Sequence, residues 1–177
     1  SKEPVNYQSP PGVQRQRMIS GISNQQLRQN EQSLSLEICG LKDGDSRAAF
    51  SERSLDLRQY DYLRAFVHAA SVPGQAPLRD DDLYLFVRVG SDFISNYYEY
   101  RLPLKITQPG EKNIDMVWPE ANRINLRIQD LVNAKLARND ANIPSFFPYT
   151  TTDDKGNAII VIGNPNPDLY GNVFTRL

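Results

Sequence analysis

The sequence predicts a mostly β domain, arranged as a jelly-roll-like β-sandwich of the kind found in galactose-binding and other carbohydrate modules, with one short helix late in the chain. Two observations support this fold class. Apolar residues alternate with polar or aromatic ones at 34–38, 63–69, 83–89 and 114–118, and clusters of turn residues separate these stretches. We therefore expect roughly eight short strands, which is typical of a sandwich.

The stretch that begins at Asp80 and ends at Leu104 predicts the central element of the fold. Its first half alternates around Leu85 and Val87, its middle carries turn residues at 90–95, and its second half alternates again before Pro103. This pattern indicates two antiparallel strands joined by a loop. Because both faces of the first strand carry apolar or aromatic residues, we expect it to be covered on both sides and Leu85 and Val87 to be buried.

The remaining segments predict a domain at 33–162, between an extended N-terminal arm at 1–32 and a linker or the start of a next segment at 163–177. Within the domain, alternation predicts strands at 34–38, 60–70 and 114–118, and helical spacing predicts a helix at 129–138. Residues 124–128 fit either a strand or a helix. A Gly-containing turn at 153–157 predicts a second hairpin, formed by 149–152 and 158–162.

Composition excludes several classes of function. The formal net charge of the 177-residue chain is -1, so no strong field attracts nucleic acid, and no apolar run predicts insertion into a membrane. With one cysteine and one histidine, a Cys/His metal site is not expected. We expect Cys39 to be a half-buried structural thiol and His68 to be a packed or surface residue.

A search for reactive residue patterns finds no catalytic motif, so we predict that the chain is not an enzyme and binds no cofactor. The densest acidic cluster is Asp80, Asp81 and Asp82, whose oxygens suit a hard cation such as calcium. Asp45, Asp56 and Asp92 join such a site only if the fold brings them together. The alternative interpretation, a solvated turn before a strand, is the one we prefer.

Aromatic and arginine side chains form the best candidate for a binding surface. Alternation places Phe66, Tyr84 and Phe86, with Arg64 and Arg88, on strand faces opposite the predicted core. Tyr62 is a further candidate member. We predict a ligand or partner face from these residues, because rings pack against the apolar face of a sugar. The competing interpretation is a second small core that uses the rings for packing.

Several sequence blocks together resemble the SprA/Sov family. They are PPGVQRQ at 10–16, RQNEQSLSLEICGLKDGDSRAAF at 28–50, LDLRQYDYLRAFVHA at 55–69, RVGSDFISNYYEYRLPL at 88–104, VWPEANRI at 117–124 and NAKLARN at 133–139. Members of that family form the outer-membrane translocon of the type 9 secretion system and support gliding motility.

The resemblance implies a non-catalytic, soluble domain of such a translocon, with a scaffold or interaction role at the cell surface or periplasmic face of the outer membrane of a Gram-negative bacterium. It also implies the rest of the translocon barrel, a plug protein, a PorV-type partner and secreted cargo as partners. Loops at 71–77 and 90–95 are the expected contact points. The alternative hypothesis is a cell-surface module that binds glycans.

Overall fold

The computed structural model describes residues 8–13, 17–19, 26–28, 33–50, 56–92, 94–165 and 172–176. Within these ranges there are ten strands and two α-helices, with 3₁₀ turns at Leu57–Gln59 and Glu120–Asn122. The strands are β1 (Arg17–Ile19), β2 (Gln26–Arg28), β3 (Ala48–Phe50), β4 (Tyr62–Ala65), β5 (Tyr84–Gly90), β6 (Tyr97–Pro103), β7 (Ile124–Arg127), β8 (Tyr149–Thr152), β9 (Ala158–Ile162) and β10 (Asn172–Arg176). The helices are α1 (Ile114–Val117) and α2 (Ile128–Asp140).

One antiparallel sheet of six strands forms the main layer, in the order β3-β10-β5-β6-β9-β8. The hairpin of β5 and β6 therefore occupies the two middle positions, as the sequence predicts. Two smaller antiparallel sheets accompany it, β1 with β2 and β4 with β7. The fold is mostly β and consistent with a sandwich, whereas the jelly-roll connectivity stays a prediction.

The core lies between the inner face of the six-stranded sheet and a second layer made of β4, β7 and α2. The register of the central hairpin places Leu85 opposite Leu102, and Val87 opposite Tyr100, with all four side chains buried. Leu126 of β7 and Leu131 of α2 belong to the same buried cluster. Burying side chains of this size contributes roughly 1.5–3 kcal/mol each, so this layer contact dominates the stability.

The outer face of the central hairpin is also largely buried. Phe86, Tyr97 and Glu99 are all buried there, although Tyr84 at the start of β5 is exposed. The prediction that both faces of this strand are covered is therefore confirmed for the middle of the hairpin.

The helical prediction for 129–138 is confirmed by α2, which begins directly after β7. The ambiguous segment before it contains both structures in succession, a strand to Arg127 and a helix from Ile128. The backbone N–H of Ile128 donates a hydrogen bond to the carbonyl of Asp61, 2.9 Å away, where the chain changes from strand to helix. The hairpin of β8 and β9 is confirmed as well.

The strand predicted at 114–118 is wrong, because these residues form the short helix α1. The side chain of Asn113 caps it by accepting a hydrogen bond from the backbone N–H of Asp115, 3.0 Å away. Ile114 and Met116 are exposed and Val117 is buried, so their alternation does not mark a sheet face.

Two other predicted strands are corrected. Residues 33–40 pair with no strand among the described residues, and Leu34 is exposed, so the predicted strand at 34–38 is wrong. Cys39 is exposed rather than half-buried for the same reason. Of the strand predicted at 60–70, only Tyr62–Ala65 is paired, followed by an isolated bridge from Ala70 to Thr107.

The C-terminal segment, predicted as a linker or the start of a next segment, contains β10. This strand lies inside the six-stranded sheet, paired with β3 on one side and β5 on the other. The linker interpretation therefore does not hold for residues 172–176. In the predicted arm, Gln8 lies against the domain, because its carbonyl accepts a hydrogen bond from the Trp118 indole N–H at 2.8 Å.

We predict that replacement of Leu85 by alanine lowers the free energy of unfolding by about 2–4 kcal/mol, because it removes buried methyl groups and leaves a cavity. Tyr84→Ala on the same strand is the matched control, since that side chain is 55% exposed, and its effect should stay below about 1 kcal/mol. Urea denaturation measures both. Equal effects of the two substitutions would show that the inner face of β5 is not the centre of the core.

Candidate functional site

The structure divides the predicted binding face between two surfaces. Tyr84, Phe86 and Arg88 lie on the outer face of the six-stranded sheet, because Leu85 and Val87 occupy its inner face. In the second layer, Leu63 and Ala65 pack against the core, so Arg64 and Phe66 lie on the opposite outside of the sandwich. The five residues therefore do not form one continuous face.

On the outer face of the main sheet, the carboxylate of Glu99 is 1% exposed and binds two guanidinium groups. Its Oε2 accepts from Arg88 Nη2 at 2.6 Å, and its Oε1 accepts from Arg101 Nη2 at 2.5 Å. The Arg88 guanidinium lies 3.7 Å above the centre of the Tyr97 ring and 5.5 Å above that of Phe86. A platform for stacking a sugar needs open ring faces, but the Arg88 guanidinium covers one face of the Tyr97 ring. Glycan binding at this face stays a prediction.

On the opposite surface, Phe66 and His68 both meet the ring of Trp118 edge to face, with centroids 6.3 Å and 5.7 Å away. Arg123 lies 5.1 Å above the Phe66 ring. The His68 Nε2 is buried and has no hydrogen-bond partner among the residues that the structure describes, and burial lowers the pKa of this imidazole from 6.5. His68 was expected to be a packed or surface residue, and its ring packs on Trp118.

The three aspartates of the acidic cluster each fulfil a local role. Asp80 accepts a hydrogen bond from the Ile106 backbone N–H at 2.9 Å, and Asp81 pairs with Lys105 Nζ at 3.0 Å. Asp82 accepts from the Arg79 backbone N–H at 2.7 Å. Among the described residues, no group of three or more His, Cys, Asp or Glu side chains is arranged to hold a metal ion.

The other candidate aspartates do not join this cluster. Asp45 accepts a hydrogen bond from the Lys42 backbone N–H at 3.3 Å, and Asp56 pairs with Arg58 at 3.0 Å. The Arg58 side chain beside it lowers the pKa of Asp56. Asp92 lies within the loop between β5 and β6, so each of the three closes its own turn.

A cavity of about 260 Å³ lies between the two layers. Val87 and Tyr98 of the main sheet line it on one side, and Leu63 and Leu126 of the second layer line it on the other. Its lining is nearly all carbon, and half-exposed Tyr60 and Tyr62 form part of the wall. Such a space suits an apolar group and offers little polar surface to orient a ligand.

The loop between β5 and β6 is ordered around the carboxylate of Asp92. Its Oδ1 accepts backbone N–H hydrogen bonds from Ile94, Ser95 and Asn96 at 2.6–2.9 Å, and its Oδ2 accepts from the Asn96 side chain at 2.7 Å. These donors, led by the Asn96 side chain, hold the pKa of Asp92 well below its usual range. The loop thereby presents Ile94 with 82% of its side chain exposed.

A second loop presents two aromatic rings at the same end of the sheet. Phe146 and Phe147 are 72% and 53% exposed, and their ring centroids are 4.5 Å apart. The Phe147 backbone N–H donates to the Pro144 carbonyl at 3.0 Å, which fixes the turn before β8. Exposed phenylalanines packed on each other are unusual for a surface that meets only water.

The segment after β9 joins the two loops. The Gly163 N–H donates to the Ser145 carbonyl at 2.7 Å, and the Asn164 N–H donates to the Asn96 side-chain oxygen at 3.0 Å. Both loops are therefore fixed to one segment at one end of the sheet. We call Ile94, Phe146 and Phe147 the apical patch.

Only one part of the apical patch coincides with a loop singled out from the sequence. The loop at 90–95 was an expected contact point, and it carries Ile94. The pair at 146–147 lies between the predicted helix and the predicted second hairpin, where no contact point was expected, although two adjacent phenylalanines between prolines were a visible signal. The other expected contact loop, at 71–77, contributes no residue to the apical patch.

Comparison with known proteins identifies one family. The family model SprA_N, described as motility related/secretion protein, matches residues 1–175. No curated protein matches the sequence significantly. In the part of the chain that the structure describes, no helix combines the length and the apolar character needed to cross a membrane. The family match covers the central hairpin, both layers of the core and the apical patch.

We predict that the stability of the fold decreases as the pH falls below neutral, and that His68 is responsible. The unfolded chain binds a proton at the ordinary pKa near 6.5, whereas the folded state binds it only at lower pH because the imidazole is buried. The contribution of neutral His68 is therefore complete above pH 6.5 and declines as the pH falls through the folded-state pKa.

Urea denaturation at pH 7.5 and pH 5.5 tests this, with His68→Leu as the comparison. His68 is the only histidine of the chain, so the difference between the two proteins isolates its titration. The variant should lose less stability than the parent over this interval. An identical loss in both would contradict the assignment.

We predict that Gly163→Ala is strongly destabilising, by more than about 2 kcal/mol. Gly163 has a positive φ of 70°, and an added Cβ would overlap the carbonyl oxygen of Ser95 and the side chain of Asn96. Gly110→Ala is the control, since its φ is 83° but its Cβ would meet nothing within 4 Å. The control should cost only the backbone term, about 1–2 kcal/mol. Thermal unfolding of both variants separates backbone strain from the loop contact.

Proposed function

The chain belongs to the SprA_N family of motility related and secretion proteins, and from this membership we propose that it is a non-catalytic interaction domain of a type 9 protein translocon at the outer membrane. In this proposal the domain contacts another part of the translocon, such as a plug or PorV-type protein, or the cargo in transit. The apical patch is the surface that makes the contact.

The single observation that carries the proposal is the combination of exposure and order in the apical patch. Its three apolar side chains are each more than half exposed, yet hydrogen bonds fix the loops that bear them. A surface of this kind binds a partner without first losing backbone entropy, which is a main cost of association. Isolated exposed apolar residues are common, but an ordered group at one end of a sheet favours an interface.

The remaining polar groups support a binding role rather than a catalytic one. Glu99 forms ion pairs with Arg88 and Arg101, and the one histidine of the chain packs on Trp118. The Asp92 carboxylate accepts hydrogen bonds from its own loop. These groups stabilise the fold and leave the apolar side chains as the accessible recognition elements.

We predict that the triple substitution Ile94→Ser, Phe146→Ser and Phe147→Ser in the full-length parent protein reduces secretion and gliding several-fold. The amount of the parent protein in the envelope should stay unchanged. The change removes the apolar contact but no hydrogen bond of the loops, because Ile94 and Phe147 take part in those bonds through their backbone N–H groups. Secreted proteins in the medium, colony spreading and immunoblots of the envelope measure the outcome.

Met116→Ser is the matched control. Met116 is 57% exposed on α1, which follows the Pro103 end of the central hairpin, opposite the apical patch. It should leave secretion and gliding unchanged. Normal secretion and gliding in the triple variant would refute the role of the apical patch.

A further inference from the structure

The strand β8 forms one edge of the six-stranded sheet, with β9 as its neighbour. At the turn, the Asp153 N–H donates to the Asn157 carbonyl at 3.0 Å, so the backbone of Asp153 points towards β9. Along an antiparallel pair, the backbone N–H and C=O groups of successive residues point alternately towards and away from the partner strand. The backbone groups of Thr151 and Tyr149 therefore also point towards β9. The backbone N–H and C=O groups of Thr150 and Thr152 therefore point away from the sheet.

These two residues offer an open hydrogen-bonding edge. Among the described residues no strand pairs with that side of β8, and both threonine side chains are exposed. Two residues of strand span roughly 7 Å, the repeat at which a neighbouring extended chain presents its own N–H and C=O groups. Natural sheets protect such edges with lysine, proline or a bulge, and Tyr149–Thr152 contains no charged residue and no proline.

The aromatic part of the apical patch directly precedes this edge. Phe146 and Phe147 lie three and two residues before Tyr149, respectively, with Pro148 between them and the strand. Pro148 has no N–H, so pairing along β8 ends there, and contact beyond it depends on side chains. A chain laid along β8 towards Tyr149 would reach the two rings next.

We propose that the edge of β8 and the rings of Phe146 and Phe147 bind an extended segment of another polypeptide by strand addition. Backbone hydrogen bonds at Thr150 and Thr152 provide affinity that is largely independent of sequence, and the rings select an apolar side chain beyond the paired residues. The inference rests on the proposed function and deepens it, since it specifies the partner as a polypeptide in extended conformation.

A second copy of this chain fits the edge less well. Two β8 strands paired antiparallel would place their phenylalanine pairs at opposite ends of the interface, where neither pair meets the other. A foreign segment with an apolar residue beyond its paired stretch engages both the edge and the rings.

Fluorescence anisotropy with the purified 177-residue chain tests the proposal. The probe is a fluorescein-labelled nine-residue peptide in which Val and Thr alternate and one Phe lies near an end. The control peptide has the same side chains but is N-methylated at its four central residues, so that the backbone of those residues cannot donate hydrogen bonds. We expect saturable binding of the probe and at least tenfold weaker binding of the control.

Thr150→Pro removes the outward N–H and should weaken binding at least tenfold, whereas the hydrogen bonds to β9 stay intact. The double substitution Phe146→Ser with Phe147→Ser should weaken it about fivefold, and Met116→Ser by less than twofold. If Thr150→Pro does not fold, amide exchange in the parent decides. The Thr150 and Thr152 amides should exchange more slowly when the probe is added.

Absence of saturable binding up to 1 mM probe, equal binding of the methylated peptide, or unchanged exchange at both amides would overturn strand addition. A concentration-dependent dimer in sedimentation, abolished by Thr150→Pro, would overturn the choice of a foreign segment. These measurements use no secretion assay, so their failure leaves the proposed function to be judged by the serine variants at 94, 146 and 147.

Discussion

The register of the central hairpin is the constraint on which the rest of the structure depends. Pairing of Val87 with Tyr100, and of Leu85 with Leu102, places four buried side chains on one face of the sheet. A slip by one residue would move this whole set to the outer face and bring Glu99 into the core. The same register sets Arg88 opposite Glu99, so the ion pair on the outside and the apolar packing inside require the same alignment.

The sequence was sufficient for elements that carry their own complete pattern. The hairpin of β5 and β6 has alternation on both sides of a turn, and α2 has helical spacing over several turns. Alternation without a partner strand was misleading. Residues 34–38 alternate as clearly as β5, yet nothing among the described residues pairs with them, and pairing is what makes a strand. The short strand β10 was missed for the opposite reason. Its place in the sheet depends on pairing with β3 and β5, which are distant in sequence.

The candidate site shows the same limit. Period two tells which residues of one strand share a face, but not which layer of a sandwich the strand joins. From the sequence, Phe66 and Phe86 were therefore equally good candidates for one binding face, but the fold places them on opposite surfaces. The apical patch depends on a meeting of loops from 90–96, 141–148 and 163–165, and no local pattern encodes such a meeting. The cavity between the layers is likewise a matter of packing, which single residues do not reveal.

The apical patch is connected to the core by polar groups of α2. Arg138 is buried, and its guanidinium donates to the Gly163 carbonyl at 2.5 Å and to the Asn164 side chain at 3.2 Å. Lys135 donates to the Pro165 carbonyl at 3.1 Å.

A buried guanidinium is unfavourable unless its donors are satisfied, so these carbonyls are held where Arg138 needs them. The segment at 163–165 then fixes Ser145 and Asn96, and through them both loops of the patch. Exposed phenylalanines on a frayed loop would be a by-product of weak packing. Here the loops are fixed by a helix that packs in the core, which makes the apical patch a property of the folded domain and favours its use as an interface.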